Sequence, residues 1–155
     1  MKKRELYIVS ACLVGLKTRY DGKSNIEQDV VKLLKEGKAI PLCPEQLGGL
    51  PTPREPIGFI NGDGEDFLKG KAKLIGKESG EDKGKNFLRG AEEILKIVKK
   101  LGIKKAYLKE GSPSCGVNWV YINGKLSRGM GVTAALLKKA GVELIAKKLP
   151  EGQDL

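Results

Sequence analysis

The chain has no histidine among its 155 residues. That removes Ser-His-Asp and Cys-His catalysis, His-ligated zinc and any imidazole proton shuttle. Cysteine is scarce, with three in all, an odd number at long spacings that does not suit a disulfide scaffold. Aromatic residues make up 5% of the chain, and there are five arginines: Arg4, Arg19, Arg54, Arg89 and Arg128. Nucleic-acid readers usually combine arginine with interleaved aromatics, and this chain has little of either. No apolar run nears the roughly 20 residues that span a bilayer. The opening MKKRELYIVSACLVG has the basic-then-apolar look of a signal peptide. Glu5 interrupts it, and Leu6–Val9 reads as a buried strand. The expectation is a cytoplasmic protein without membrane contact, whose reduced thiols are free for metal binding or catalysis.

What remains is an ordinary globular balance, 40% hydrophobic and 31% charged. The length predicts one domain over 1–155, large enough to bury a core without staples. Lys+Arg is 29 against 19 Asp+Glu, a net charge of +10. The surplus is nearly all lysine, spread over helix faces at Lys32, Lys35, Lys96, Lys99, Lys100, Lys138 and Lys139. That pattern reads first as a solvated surface, with an RNA or other polyanion as the alternative partner.

Along the chain, strands are expected at Glu5–Ser10, Ala39–Leu42, Lys71–Ile75, Lys104–Leu108 and Val142–Ile145. Helices are expected at Ile26–Lys35 with Asn25 as N-cap, at Asp82 or Lys85 to Leu101, and at Val132–Ala140. The long helix has a stripe of Phe87, Ala91, Ile94, Leu95, Val98 and Leu101. Asn123-Gly124 marks a hairpin after Trp119–Ile122. Pro44–Pro56 reads as a rigid shaped loop, and Ile57–Asp66 as a polar, exposed excursion. Alternating strands and helices predict an α/β fold, Rossmann-like, with a mostly parallel sheet and helices on both faces. Ligands of such sheets collect beyond the carboxyl ends of the strands.

Cys12, Cys43 and Cys115 each follow one of these strands, 31 and 72 residues apart. If the strands are parallel neighbours, the three thiols meet at one sheet edge. Three thiolates without histidine suit an iron–sulfur cluster, for which four cysteines are usual; three leave one iron open as a Lewis acid. Three other readings stand beside it. Each cysteine can be a small buried hydrophobe. The three can hold zinc, with Glu45 as a further ligand. One can be a lone nucleophile activated by a lysine or a helix N-terminus.

Gly48, Gly49 and Gly116 are expected to let the backbone approach the cluster, with Pro44 and Pro113 fixing the chain. Glu45, two residues after Cys43, is a candidate general base or a loop-capping carboxylate. Ser112 and Ser114 bracket Pro113 and either contact a ligand or close a turn. Arg19, Tyr20 and Asp21 are expected to support the Cys12 region or simply to form a turn. Gly129-Met130-Gly131, before a helix, is a weak anion-site signal.

Four segments, SACLVGLKTRYDG (10–22), CPEQLGGLPTPREP (43–56), LKEGSPSCG (108–116) and GVTAALLKKAGVEL (131–144), resemble the thiouracil desulfidase family of bacteria and archaea. The resemblance runs over nearly the whole chain and thins at Ile57–Gly84, a stretch then expected to shape substrate access. It implies a [4Fe–4S] cluster on Cys12, Cys43 and Cys115, with the fourth iron open to the sulfur of a small thiolated substrate. It also implies Glu45 as the residue that activates water, and Ser112 as one that positions substrate or passes a proton. The implied reaction is a non-redox hydrolysis of the C–S bond of 2-thiouracil or a relative, releasing hydrogen sulfide. Two alternatives remain: sulfur removal or transfer on thiolated tRNA, and a non-catalytic protein with a metal held by the three cysteines.

Overall fold

The computed structural model describes residues 5–149. Four strands, β1 (Tyr7–Ser10), β2 (Ala39–Leu42), β5 (Lys105–Lys109) and β8 (Glu143–Lys147), form one sheet in the order β2-β1-β5-β8. Every pairing in it is parallel. Side chains alternate across a strand, and here both faces are covered. Ile8, Ala106 and Leu108 pack on one face with Ile94 and Val98 of α4 (Gly84–Leu101) and Ala134, Ala135 and Leu137 of α5 (Val132–Lys139). Val9 points the other way, to Leu13 and to Val30 of α1 (Gln28–Lys35), with Tyr107 alongside. The expected α/β fold, with helices on both faces of a parallel sheet, is present.

The chain leaves β1 for β2 on one side, then returns to β5 on the other. The crevice between the carboxyl ends of β1 and β5 is therefore the point where strand order reverses, the usual ligand site of open parallel sheets. Ser10 Oγ accepts a hydrogen bond from the Lys109 N–H (3.0 Å), so the two strand ends are tied together there.

A second four-stranded sheet was not expected. It contains β3 (Ile57–Ile60), β4 (Lys73–Gly76), β6 (Trp119–Ile122) and β7 (Lys125–Arg128), in the order β4-β3-β6-β7. Its outer pairs are antiparallel and its central pair is parallel. The expected hairpin is its β6–β7 unit, with Asn123 and Gly124 at φ 51° and 83° in the left-handed region that such turns need. This sheet packs Phe59, Leu74 and Val120 against Phe87, Ala91 and Val132, so α4 and α5 lie between the two sheets.

Several local expectations change. The Ile57–Asp66 segment is not an exposed excursion. It holds β3, whose Phe59 is 1% exposed, and the start of α3 (Gly64–Leu68) with a capping box between Asp63 and Asp66. Asn25 does not cap α1. Glu27 stands at the N-cap, Ile26 is exposed, and the Asn25 side chain accepts from Arg19 instead. Leu101 falls outside the buried stripe of α4. Pro44–Pro56 opens with a single helical turn, α2 (Pro44–Leu47), because Pro44 at its first position has the φ a helix needs and lacks only an N–H that would go unpaired. No helix among the described residues is long and apolar enough to cross a membrane.

Candidate active site

Three strand ends deliver the three thiols to one cavity of about 300 Å³. Cys12 sits in the 3-10 turn Ala11–Val14 that follows β1. Cys43 is the residue between β2 and α2. Cys115 lies in the loop after β5, where its N–H donates to Ser112 Oγ (3.1 Å). All three are free cysteines, with Cys12 and Cys115 buried. Burial, and next the Glu45 carboxylate, push the Cys12 thiol up to about 12 and that of Cys43 to about 11. The same causes, in the same order, hold the Cys115 thiol well above its ordinary value. Dry thiols beside a carboxylate resist ionisation unless a cation compensates them.

Glu45 stands in the first turn of α2 and is 7% exposed. Its Oε2 accepts from the Ser112 hydroxyl (3.4 Å) and pairs with Arg54 Nη2 (3.9 Å), while Oε1 lies 3.7 Å from Cys43 Sγ. Ser112 Oγ in turn accepts from the N–H groups of Ser114 and Cys115, both at 3.1 Å. A hydroxyl has one hydrogen and two lone pairs, so with both N–H groups bound its hydrogen points at Glu45.

Arg19 and Tyr20 line the cavity, and the Arg19 guanidinium lies 5.8 Å from the Tyr20 ring centre. Asp21 stands outside it. It pairs with Arg19 (3.5 Å) and accepts from the Lys23 N–H (3.0 Å), which is turn geometry with a tether to Arg19. Ser114 and Gly116 are not brought into the cavity. Ser114 is fully buried behind the wall, and its hydroxyl has no hydrogen-bond partner. A Cβ on Gly116 would meet the Trp119 carbonyl oxygen at 2.4 Å, so this glycine closes its own loop rather than admitting a ligand. Gly48 likewise abuts α4, where a Cβ would lie 1.9 Å from the Asn86 carbonyl oxygen. The Gly129-Met130-Gly131 anion signal fails for a related reason. Carbonyls of Pro113 and Ser114 accept from Val132 and Ala134, so the start of α5 is already satisfied by the Cys115 loop.

Three site residues escaped the sequence reading. Arg54 is buried at the cavity, and its only cue was an arginine set among prolines in PTPREP. Lys109, at the end of β5, is 8% exposed, lines the cavity and favours ionisation of Cys12. Glu110 is 3% exposed and accepts from the N–H groups of Val117 (2.7 Å), Asn118 (3.0 Å) and Trp119 (3.0 Å). That carboxylate shapes the loop carrying Ser112 and Cys115. The far wall comes partly from the second sheet, through Ile57 of β3 and Tyr121 of β6, with Lys77 just after β4. The Ile57–Gly84 stretch thus does border the cavity.

A sequence model of the 2-thiouracil desulfurase family matches residues 7–148. The chain belongs to this family. The uncharacterized protein YbbK of Bacillus subtilis (strain 168) is a relative, 44% identical over 145 residues that cover 92% of this chain and 95% of that protein. A solved structure of the [4Fe–4S]-dependent thiouracil desulfidase TudS superposes with a TM-score of 0.79 at 42% identity. The match covers 95% of this chain and 94% of that one.

The donor set fits a cluster better than a single ion. Among the described residues, no three His, Cys, Asp or Glu side chains converge closely enough to hold one metal ion. The three thiols instead surround a shared cavity, as a polynuclear group bound by one thiolate per iron requires.

Proposed function

We propose that this chain is a [4Fe–4S]-dependent desulfidase that hydrolyses the C–S bond of 2-thiouracil or a similar small thiolated compound. The observation that carries the reading is the meeting of Cys12, Cys43, Cys115 and Glu45 at one cavity, in a chain matched over 95% of its length with a thiouracil desulfidase. Cys12, Cys43 and Cys115 would hold the cluster. When bound, the cluster supplies an iron without a protein ligand, a Lewis acid for the thiocarbonyl sulfur.

The chain's own residues then have separate tasks. Glu45 takes a proton from water, and the water oxygen attacks the carbon that carries sulfur. Ser112 donates to Glu45 and fixes its rotamer. Tyr20 and Tyr121 offer aromatic edges and faces to a flat heterocycle. Water is consumed, a carbonyl replaces the thiocarbonyl, and sulfur leaves as hydrogen sulfide. The balance needs no oxidant or reductant. The absence of histidine is no obstacle, because a carboxylate is the base.

A second reading, desulfidation of thiolated tRNA, draws on the net charge of +10 and on exposed Lys77 at the cavity. The cavity's size favours the small substrate. A reducing, cytoplasmic setting suits either.

The test is anaerobic reconstitution with iron and sulfide, followed by incubation with 2-thiouracil and assay for sulfide release. About four irons per chain and steady sulfide production are expected. Protein that stays colourless, or brown protein that releases no sulfide, overturns the reading. Salt-sensitive turnover of thiolated tRNA without turnover of the free base would replace it with the second reading.

A further inference from the structure

The desulfidase reading gives Glu45 a task but leaves open which of its two oxygens performs it. Oε2 has two partners, the Ser112 hydroxyl at 3.4 Å and Arg54 Nη2 at 3.9 Å. Oε1 faces Cys43 Sγ at 3.7 Å. Once Cys43 is a thiolate ligand its proton is gone, and that contact no longer offers Oε1 a hydrogen. Resting on the desulfidase reading, we propose that Arg54 is a positioning residue: with Ser112 it holds Glu45 by Oε2, and leaves Oε1 as the oxygen that receives the proton from water.

The guanidinium is itself held on several sides. Arg54 Nη1 donates to the Thr18 carbonyl (3.2 Å), the Pro51 carbonyl (3.3 Å) and Thr52 Oγ1 (3.1 Å). The backbone N–H of Arg54 donates to the Tyr20 carbonyl (2.8 Å). Thr52 Oγ1 also accepts from Gln46 Nε2 (2.8 Å), which ties this loop to α2. One side chain therefore spans the Thr18–Tyr20 loop, the proline-rich loop and Glu45. The Arg54 and Glu45 side chains are 8% and 9% exposed, so their attraction is little screened by salt. Arg19, the other arginine at the cavity, is occupied by Asp21 and Asn25. Lysine has no planar fork with which to satisfy three acceptors and a carboxylate together.

The test compares wild type, R54K and R54A as reconstituted holoenzymes with matched iron content. In R54A, kcat should fall about 10- to 100-fold with KM within about threefold, because the loss is of base orientation and not of substrate affinity. Added guanidinium should restore part of kcat in R54A and none in E45Q, and R54K should lie between R54A and wild type. A kcat that tracks wild type, or a loss carried wholly by KM, overturns the proposal. Crystal structures of wild type and R54A supply a readout independent of turnover. Glu45 should leave Ser112 in R54A, and an unmoved carboxylate overturns the proposal even if 2-thiouracil is not the substrate. Wild-type holoenzyme that releases no sulfide overturns the desulfidase reading instead.

Discussion

A Cβ on Gly90 would lie 1.9 Å from the carbonyl oxygen of Pro44. Helix α4 and the short α2 therefore touch backbone to backbone, and the residues on either side of Pro44 are Cys43 and Glu45. Glycine is required here by space, since its φ lies outside the left-handed region. In Gly90→Ala the added methyl should push α2 outward and carry a thiol and the carboxylate with it. Overpacking of this kind costs about 1–3 kcal/mol, more where backbone blocks relief. Urea unfolding should show that loss, and iron uptake on reconstitution should fall below wild type.

Glu45→Gln separates binding from chemistry. Glutamine keeps the shape and leaves all three cysteines in place, so iron content and the cluster's absorption should match wild type. Sulfide release should drop about 10²- to 10⁴-fold, the usual worth of a positioned base. Steady-state assays at equal iron loading check it. Loss of iron in parallel with activity would assign Glu45 to the cluster mount instead.

The thiols give a pH dependence with a definite sign. In the metal-free protein they are held up by burial and by Glu45, to about 12 for Cys12 and about 11 for Cys43, against an ordinary value of 9.0. Above about pH 9 the unfolded chain releases these protons while the folded one keeps them. Their contribution to stability is therefore complete below about pH 9 and is lost as pH rises toward 11–12. Metal-free protein should show a falling denaturation midpoint across that window. Iodoacetamide should label the folded thiols more slowly at about pH 8 than it labels a small-molecule thiol.

Glu110 supports the loop that carries Ser112 and Cys115. In Glu110→Gln the remaining oxygen is neutral where it accepts from Val117, Asn118 and Trp119, and the new NH2, at the Oε2 position, faces two donors, the Asn118 N–H (3.1 Å) and Nδ2 (3.3 Å). The loss should be about 1.5–3 kcal/mol, typical of a hydrogen bond to a charged group. Hydrogen exchange at residues 117–119 should accelerate, while exchange in α1, remote from this loop, stays at the wild-type rate.

Much of the fold was legible because its signals are local. The buried positions Phe87, Ala91, Ile94 and Val98 recur at helical spacing, and Gly102 ends that helix at φ 65°. Asn123-Gly124 names its own turn. In the second sheet, the strand expected at Lys71–Ile75 (found at Lys73–Gly76) and the Trp119–Ile122 hairpin were legible; β3 was not, because it is four residues long and set among Gly and Asp. A strand that short shows its character through its partners, and those come from β4 and from β6 far along the chain.

The candidate site divides in the same way. Sequence alone determined that the chain has three thiols, that each follows a strand, that Glu45 lies beside one of them, and that no histidine competes for the role of base. These are matters of residue identity and of position relative to local elements. Tertiary structure decided which groups face each other. The strand order β2-β1-β5-β8 sets three loops around one crevice and brings Ser112 to Glu45, while the fold of the proline-rich loop, tied to the Thr18 and Tyr20 carbonyls, places Arg54 on that carboxylate. It also turned Gly116 and Ser114 away from the cavity. The Ser112–Glu45 contact, 67 positions apart, follows from strand order, and the Arg54–Glu45 contact, 9 apart, from the path of an irregular loop; local periodicity carries no record of either.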